Sequence, residues 1–481
     1  MTDLSTKTTK FDLIVIGAGS GGLTAAEFAS ALGASVALVE ADERLGGECL
    51  HAGCVPSKAF IHAARRFQTV RDHLDPWDEL KKDSFAKAMR DVQASINKVE
   101  ADHDNKEYYE AMGVKVFIGR AKFTSHDTIS IGDAQSLQGK RFIIATGSRP
   151  LIPNIPGLAD TTYLTNENFF KQTELPGSLV VIGGGPIGCE LGQAMAMFGT
   201  NLTIISQDER LLPRDEPEAS AALQASLEKM PNVTLVFNAK ITAVSSENGA
   251  TVSYDVADEH LSVSAEKLLV ATGRAANTDL GLESAEVKYT DRLIVTSDRL
   301  QTSNKKIYAI GDVMGGPNFT HVAVDQAVAA TQNALLGRKQ TKRDLGELPW
   351  ATFTYPEIAH LGADEASLVK AQTEFKTHVL NLKAVDKAVA DQETGMVKVM
   401  VDNKGLILGA TAIGGPASEI IGQLALAKRE GIKLTGLGDT LQAYPTYAFG
   451  LKLFASNLSL EEFKASSSKK LVYLLRKFTL R

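Results

Sequence analysis

The chain has 481 residues, a formal net charge of −6, 44% hydrophobic residues and only three cysteines. This length corresponds to about three domains, and the composition is that of a folded globular protein. The negative charge argues against nucleic-acid binding, and three cysteines are too few for a disulfide framework. The chain has neither an apolar run of membrane-spanning length nor the apolar stretch of a signal peptide. We therefore expect a cytoplasmic protein.

The first predicted unit is a strand, a glycine turn, a helix and a second strand between Phe11 and Glu40. Its turn carries the pattern G-x-G-x-x-G at Gly17, Gly19 and Gly22. These glycines permit a tight turn, let the backbone approach a pyrophosphate, and place the phosphate at the positive end of the helix. Glu40 ends the second strand, where a carboxylate would bind a ribose hydroxyl.

Two of the three cysteines, Cys49 and Cys54, follow in the segment GGECLHAGCVPSK, at the start of a predicted helix. In a regular helix, residues five apart are separated by roughly 7.5 Å of rise, so a bond between them requires an irregular turn, which Gly53 favours. The preferred interpretation is a disulfide that opens and closes. The alternatives are a zinc site, which would need two further ligands, and two inert core cysteines.

A second strand–turn–helix–strand unit, from Ser178 to Ser206, repeats the glycine pattern at Gly183, Gly185 and Gly188. One such motif alone is weak evidence, but two in full structural context indicate two dinucleotide-binding sites. Cys189 lies in the predicted helix of this second unit and is interpreted as a small buried apolar residue.

Three further apolar strands end in short motifs, Ala-Thr-Gly twice and Gly-Asp once. Candidate cofactor contacts at and after these ends are Ala145, Thr146, Gly147, Gly273, Gly311, Asp312 and His321. The order of the motifs predicts an α/β fold in which a second nucleotide-binding domain is inserted into the first. Alternating runs from Leu348 onward, with a hairpin turn at 402–405, predict a C-terminal α+β domain. The predicted boundaries are 1–150 and 281–347 for the first domain, 151–280 for the second, 348–466 for the third, and 467–481 for a basic tail.

These motifs, together with AIGDV and FTYPEIAHLG, resemble the flavin-dependent pyridine nucleotide–disulfide oxidoreductases, which include dihydrolipoamide dehydrogenase, glutathione reductase and mercuric reductase. The resemblance covers nearly the whole chain. It implies Rossmann-like domains for FAD and for NAD(P)H, with Glu40 on the adenosine ribose, Asp312 on the ribityl chain and Ser206 at the nicotinamide nucleotide. It also implies a dimerisation domain and a homodimer in which the partner chain completes each active site.

The resemblance also implies catalytic roles for individual residues. Cys54 would be the thiol beside the flavin, and Cys49 the outer thiol that meets the acceptor. Lys58 and Glu190 match the family's ion pair near the flavin, so Lys58 is both a catalytic and a cofactor-binding candidate. No resident metal site is predicted.

The segment LQAYPTYAFGLKLFASN departs from the family pattern. Tyr444 stands where the family's disulfide reductases carry a histidine base, and Phe449 where they carry its glutamate partner. A tyrosine with a reference pKa of about 10 is a poor base at pH 7, and a phenylalanine side chain accepts no hydrogen bond. Tyrosine at this position is similar to mercuric reductase, although no cysteine follows Cys189 in this chain.

We therefore expect an FAD-dependent NAD(P)H oxidoreductase that reduces a small acceptor, either a thiophilic metal ion such as Hg(II) or Cu(II), or a quinone-like oxidant. The alternatives are dihydrolipoamide dehydrogenase-type activity with altered proton handling, and a redox-sensing flavoprotein with little turnover. The choice between NADH and NADPH stays open, because Ser206 replaces the acid that would favour NADH, and Arg210 and Arg214 are only nearby candidates for a 2′-phosphate.

The tail contains five basic residues and no acidic residue from position 469 to the end of the sequence. One predicted helical face of this tail carries Leu471, Leu474, Leu475 and Phe478. Such a helix can either lie on an anionic membrane surface or pack on its own domain. Peripheral membrane contact would give a quinone acceptor more weight.

Overall fold

The computed structural model of the chain describes residues 9–71, 80–132, 135–246, 249–341 and 345–466, with positions 472, 476 and 479 beyond them. The apolar face predicted for the tail falls on Leu471, Leu474, Leu475 and Phe478, which lie outside the described residues. No helix in the described ranges is long and apolar enough to cross a membrane. Two units can be distinguished, one formed by residues 1–208 and 232–342, the other by residues 209–231 and 343–481.

The largest sheet of the first unit has seven strands. Its parallel strands are, in spatial order, Lys115–Ile118, Val36–Glu40, Thr9–Ile16, Gln135–Ile144 and Ile307–Ala309. The antiparallel strands Thr128–Ile131 and Ala121–Ser125 extend it. Leu13, Ile14 and Val15 are all fully buried, as expected for a parallel strand that is covered on both faces.

A second parallel sheet of the first unit has four strands, Val233–Val236, Asn201–Ile205, Ser178–Ile182 and Lys267–Val270. A three-stranded antiparallel sheet accompanies it, formed by Lys240–Ser245, Ala250–Val256 and Glu259–Ala265. The described part of this unit also contains two short antiparallel pairs, Ser148–Pro150 with Arg274–Ala276 and Tyr289–Thr290 with Leu293–Ile294. The chain thus leaves the first sheet, builds the second and returns, which confirms the predicted fold class of two Rossmann-like domains.

Helices cover these sheets and carry the cysteine segment. The α-helices of the first unit are Ser20–Ala31, Gly47–His51, Cys54–Arg71, Leu80–Asp102, Lys106–Ala111, Asn166–Phe169, Pro186–Met197 and Thr320–Leu336, and its 3₁₀ turns are Leu158–Asp160 and Gly311–Met314. The helix that includes Cys54 begins at that residue. Phe60, on this helix, packs its fully buried ring against four others, Phe85, Phe169, Phe170 and Phe198.

The second unit is built on a five-stranded antiparallel sheet, in the order Pro349–Thr352, Ile358–Gly362, Ile407–Ile413, Met396–Val401 and Lys376–Asn381. Its α-helices are Pro217–Glu228, Glu365–Lys370, Asp386–Ala390, Ala417–Arg429 and Tyr447–Ala465, with 3₁₀ turns at Leu345–Glu347, Leu382–Ala384 and Leu434–Asp439. The predicted hairpin turn is present, since the Gly405 N–H donates to the Asp402 carbonyl at 3.0 Å. This antiparallel sheet with its helices is the predicted α+β domain.

The segment 209–231 follows the second glycine unit in sequence but belongs to the second structural unit. Lys398, 4% exposed, lies 3.3 Å from a Glu216 oxygen and 2.9 Å from a Glu218 oxygen, and it also contacts Glu365. A buried ammonium requires such charged partners, so Lys398 attaches the helix Pro217–Glu228 to the C-terminal sheet.

The aromatic cluster around Phe60 gives a test of this packing. We expect Phe60→Ala to lower the free energy of unfolding by about 3–5 kcal/mol, because it removes a large buried ring and leaves a cavity. Val70→Ala on the same helix, where the side chain is 47% exposed, should change it by less than about 0.5 kcal/mol. Urea denaturation of both variants checks this. Equal losses would show that the cluster does not stabilise the helix.

Candidate active site

The first glycine turn leaves no room for side chains. Gly17 has a φ of +100°, and a Cβ added there would lie 2.5 Å from the Ala145 carbonyl oxygen. A Cβ on Gly22 would lie 1.8 Å from the Gly17 carbonyl oxygen. The helix Ser20–Ala31 begins after Gly19 without a side-chain cap, so its first N–H groups are available to a phosphate.

The second glycine turn repeats this geometry. Gly183 has a φ of +121°, and its added Cβ would lie 2.4 Å from the Ala271 carbonyl oxygen. A Cβ on Gly188 would lie 2.2 Å from the Gly183 carbonyl oxygen, whereas Gly185 faces open space. The helix Pro186–Met197 likewise lacks a side-chain cap. Two phosphate cradles of this kind fit two dinucleotide cofactors.

The two segments that contain the glycine turns differ at the end of their second strands. The Glu40 carboxylate accepts hydrogen bonds from the Ala18 N–H at 2.5 Å and the Ala41 N–H at 2.6 Å, which fix it beside the first glycine turn. Ser206 is buried instead, and its hydroxyl accepts a hydrogen bond from the Asp208 N–H at 3.1 Å. The first end therefore offers a fixed carboxylate to a ribose, and the second does not.

The cysteine couple spans the break between two helices. Cys49 lies within Gly47–His51, Cys54 begins Cys54–Arg71, and the two are unbonded thiols. The Cys54 sulfur lies 3.4 Å from the hydroxyl oxygen of Thr320, which begins the helix Thr320–Leu336. The irregular turn expected between the two cysteines is therefore present.

The two thiols have different acidities. A hydrogen bond from Cys49 lowers the pKa of Cys54, and the Thr320 hydroxyl and the Lys58 ammonium lower it further. The same sulfur–sulfur hydrogen bond, together with burial, raises the pKa of Cys49. In the reduced protein Cys54 is thus the thiolate and Cys49 the protonated thiol.

Lys58 and Glu190 form an ion pair, with Nζ 2.8 Å from Oε2. The glutamate side chain is only 8% exposed, and the pair joins the helix Cys54–Arg71 to the helix of the second glycine unit. Cys189, next to this glutamate, is fully buried, as predicted, and its thiol donates to the Gly184 carbonyl at 3.3 Å.

The remaining cofactor-binding candidates lie near the ends of neighbouring strands. Ile16, Ile144 and Ala309 are in register across the sheet, so the residues that follow them, Gly17, Ala145 to Gly147, and Gly311 with Asp312, share one edge. Gly273 follows the last strand of the second sheet in the same way. His321 stands beside Thr320 and stacks on Phe319, with ring centroids 5.4 Å apart.

The sequence analysis missed several polar residues at this site, among them Thr320 beside Cys54 and the group Glu48, Asn166 and Arg274. Glu48 accepts a hydrogen bond from Asn166 at 2.7 Å and contacts the Arg274 guanidinium. Burial raises the pKa of Glu48 to about 7, while the charge of Arg274 acts in the opposite direction. Glu48 precedes Cys49 directly, but nothing local in the sequence links it to a partner 226 positions away.

His51, between the two cysteines, has a separate partner. Its Nε2–H donates to the Leu45 carbonyl oxygen at 2.6 Å. The backbone of its own segment thus engages one nitrogen of the His51 ring.

Tyr444 lies in the second unit, 64% exposed, three residues before the helix Tyr447–Ala465. Its hydroxyl donates to an Asp386 carboxylate oxygen at 3.0 Å, and this hydrogen bond raises the pKa of Tyr444. The Tyr444 ring meets the Phe449 ring edge to face, with centroids 5.2 Å apart. The phenol therefore stays protonated at neutral pH.

Comparison with known proteins identifies similar chains. The family model for pyridine nucleotide-disulphide oxidoreductases matches residues 11–327, and the model for the dimerisation domain of the same family matches residues 348–453. The chain is 35% identical to a mercuric reductase of Bacillus cereus, over 92% of this chain and 70% of the relative. It is also 35% identical to a dihydrolipoyl dehydrogenase of Bacillus subtilis, over 90% of this chain and 93% of the relative.

Among solved structures, the fold is similar to a Cu(II) complex of RclA, an HOCl-induced flavoprotein disulfide reductase of Escherichia coli. The TM-score is 0.82 at 26% identity, over 93% of this chain and 99% of that one.

The difference between the thiols predicts a pH profile. In reduced protein, alkylation by iodoacetamide should stay fast well below pH 8, because the thiolate of Cys54 persists until the pH falls through its lowered pKa. Thr320→Val should raise that pKa by about one to two units, since a hydrogen bond to a charged group contributes about 1.5–3 kcal/mol.

Alkylation rates measured between acidic and alkaline pH test this assignment. Cys54→Ser should remove the low-pH reaction and Cys49→Ser should retain it. The reverse pattern would exchange the roles of the two thiols.

Proposed function

The chain belongs to the pyridine nucleotide-disulphide oxidoreductase family, and from this premise we propose that it passes electrons from NAD(P)H, through FAD and the Cys49–Cys54 couple, to a thiophilic metal ion. As a member of the family it is a homodimeric oxidoreductase that uses FAD and NAD(P)H. The acceptor, the residue roles and a location in the cytoplasm are parts of the proposal.

The two glycine turns would hold the pyrophosphates of the two cofactors, and Glu40 and Asp312 would hold the sugar hydroxyls of FAD. Bound FAD supplies the hydride chemistry that amino-acid side chains lack. Lys58, fixed by Glu190, would place a positive charge beside the flavin ring. The polypeptide itself would bind, orient and shield the cofactors, and would receive the electrons on sulfur.

The electron balance follows from the two thiols. A hydride equivalent from NAD(P)H converts the disulfide into one thiolate, on Cys54, and one thiol, on Cys49. Re-formation of the disulfide releases two electrons and one proton. Two electrons reduce one Hg(II) to Hg(0) or two Cu(II) to Cu(I), and thiolates are the ligands that such soft metals prefer.

One observation carries the choice of acceptor. The Tyr444 hydroxyl donates to Asp386, which raises the phenol's pKa above an ordinary value already roughly 3.5 units above that of histidine. Phe449 cannot orient a base. We propose that dimerisation brings Tyr444 of each chain to the cysteine couple of the other, where it donates a hydrogen bond or contacts a metal without taking a proton.

The relatives support this choice of acceptor. Mercuric reductase is the name of a relative at 35% identity, and RclA forms a Cu(II) complex. Reduction of a metal ion needs no protein group that protonates a leaving thiolate, whereas reduction of a disulfide substrate does. A dihydrolipoyl dehydrogenase is equally similar in sequence, so disulfide reduction is the first rival.

A quinone-like oxidant is the second candidate acceptor. It is favoured by the edge-to-face pair of Tyr444 and Phe449, which offers an aromatic surface where the family's disulfide reductases carry charge.

A panel of acceptors tests the proposal. With NADH and with NADPH, we expect turnover of Hg(II) or Cu(II) to exceed that of lipoamide and glutathione disulfide, because general acid–base catalysis typically contributes about 10²–10⁴-fold to rate and is missing here. Fast lipoamide turnover would refute the assignment. Normal flavin reduction without turnover of any acceptor would favour a redox sensor.

Restoring the missing base provides a second test. The double variant Tyr444→His, Phe449→Glu should raise lipoamide turnover at least about tenfold, a part of what a base normally supplies. Phe449→Glu alone is the matched control and should not, because a glutamate without a histidine has no base to orient. Failure of the double variant to exceed the control would show that proton transfer is not what limits disulfide reduction.

A further inference from the structure

The Glu48 network consists of Glu48, Asn166, Arg274, Ser148 and Asp312, all in the first unit. Glu48 sits in the first turn of the short helix that carries Cys49, and its two carboxylate oxygens have different partners. One accepts a hydrogen bond from Asn166 Nδ2 at 2.7 Å, and the other contacts the Arg274 guanidinium. Asn166 is 6% exposed and the Arg274 side chain 10%, so both partners of the half-buried Glu48 are shielded from water.

Asn166 holds the Cys49 helix at both of its ends. The amide nitrogen that donates to Glu48 also donates to the Ala52 carbonyl oxygen at 3.2 Å. Ala52 directly follows the helix Gly47–His51, and its own N–H donates to the Glu48 carbonyl oxygen at 2.9 Å. Asn166 therefore links Glu48 on one side of Cys49 to Ala52 on the other.

Arg274 connects this helix to the strand ends. Its Nε donates to the Ser148 hydroxyl oxygen at 2.7 Å, and its Nη2 donates to the Ser148 carbonyl oxygen at 2.9 Å. The Ser148 hydroxyl in turn donates to Asp312 at 2.6 Å. Arg274 and Ser148 thus link the helix that carries Cys49 to the strand ends that carry the cofactor-binding candidates.

The Cys49–Cys54 distance depends on this helix. A disulfide forms only over a narrow range of separations and dihedral angles. The link between the cysteines is confined, since a Cβ added to Gly53 would lie 3.0 Å from the Glu48 carbonyl oxygen. A helix held at both ends keeps the two sulfurs at high effective concentration, which favours bond formation.

We propose that Glu48 is a positioning residue that sets the thiol–disulfide equilibrium of the Cys49–Cys54 couple, by holding the Cys49 helix through Asn166 and Arg274. This inference rests on the proposed function of the couple as an electron carrier. It assigns to Glu48 no contact with the acceptor and no role in proton transfer.

The test measures the equilibrium of the couple in FAD-loaded enzyme against mixtures of reduced and oxidised glutathione, with thiols trapped by alkylation and counted by mass spectrometry. Glu48→Gln should reduce the disulfide-forming equilibrium constant at least about fivefold, because the helix that carries Cys49 is less well held. Glu43→Gln removes an exposed carboxylate from the same segment and should leave the constant within twofold.

Asn166→Ala separates position from charge, because it loosens both ends of the helix and removes no charge. It should shift the constant in the same direction by at least about threefold. If this variant does not fold, Asn166→Ser makes the same comparison. Wild-type constants in both the Glu48 and Asn166 variants, or a shift with Glu48→Gln alone, would overturn the proposal.

This measurement needs no electron acceptor. If the enzyme reduced no metal ion, the proposed function would fail, whereas the effect of Glu48 on the couple would still be observed. If the metal were reduced but the constants did not move, only the role of Glu48 would fail.

Discussion

Parallel strand pairing in the first unit is the constraint on which the site depends. Because parallel strands end at the same edge of a sheet, the register of Ile16, Ile144 and Ala309 brings together loops that are far apart in sequence. The first glycine turn, the first Ala-Thr-Gly motif and Asp312 all follow directly from these strand ends. The helices packed on the sheet then set the cysteine couple beside them. Without this register the motifs would be unrelated segments.

Much of this arrangement could be predicted because it is encoded locally. Gly17 is required by its positive φ, and Gly22 by a backbone contact within the same turn, so their spacing alone indicates the fold around them. The break in the helix between the cysteines follows from covalent geometry and from Gly53. The pairing of Lys58 with Glu190 could be anticipated only from the resemblance to a family, since 132 positions separate the two residues.

Other contacts could not be predicted, because they depend on where distant segments meet. The Thr320 hydroxyl reaches Cys54 across 266 positions, and Arg274 reaches Glu48 across 226. A glutamate between a glycine and a cysteine carries no sign of a buried arginine partner. The same holds for Lys398, whose burial among carboxylates assigns the segment 209–231 to a different unit from the strands on either side of it.

That attachment limits how the polypeptide can be dissected. A truncated chain that ends at residue 347 would retain Glu216, which is only 3% exposed. It would lack Lys398, whose ammonium group neutralises that carboxylate. The helix Pro217–Glu228 would also lose the sheet to which Lys398 attaches it. A successful truncation must therefore delete residues 209–231 and connect residue 208 to residue 232. The first unit consequently cannot be isolated by a single cut in the sequence.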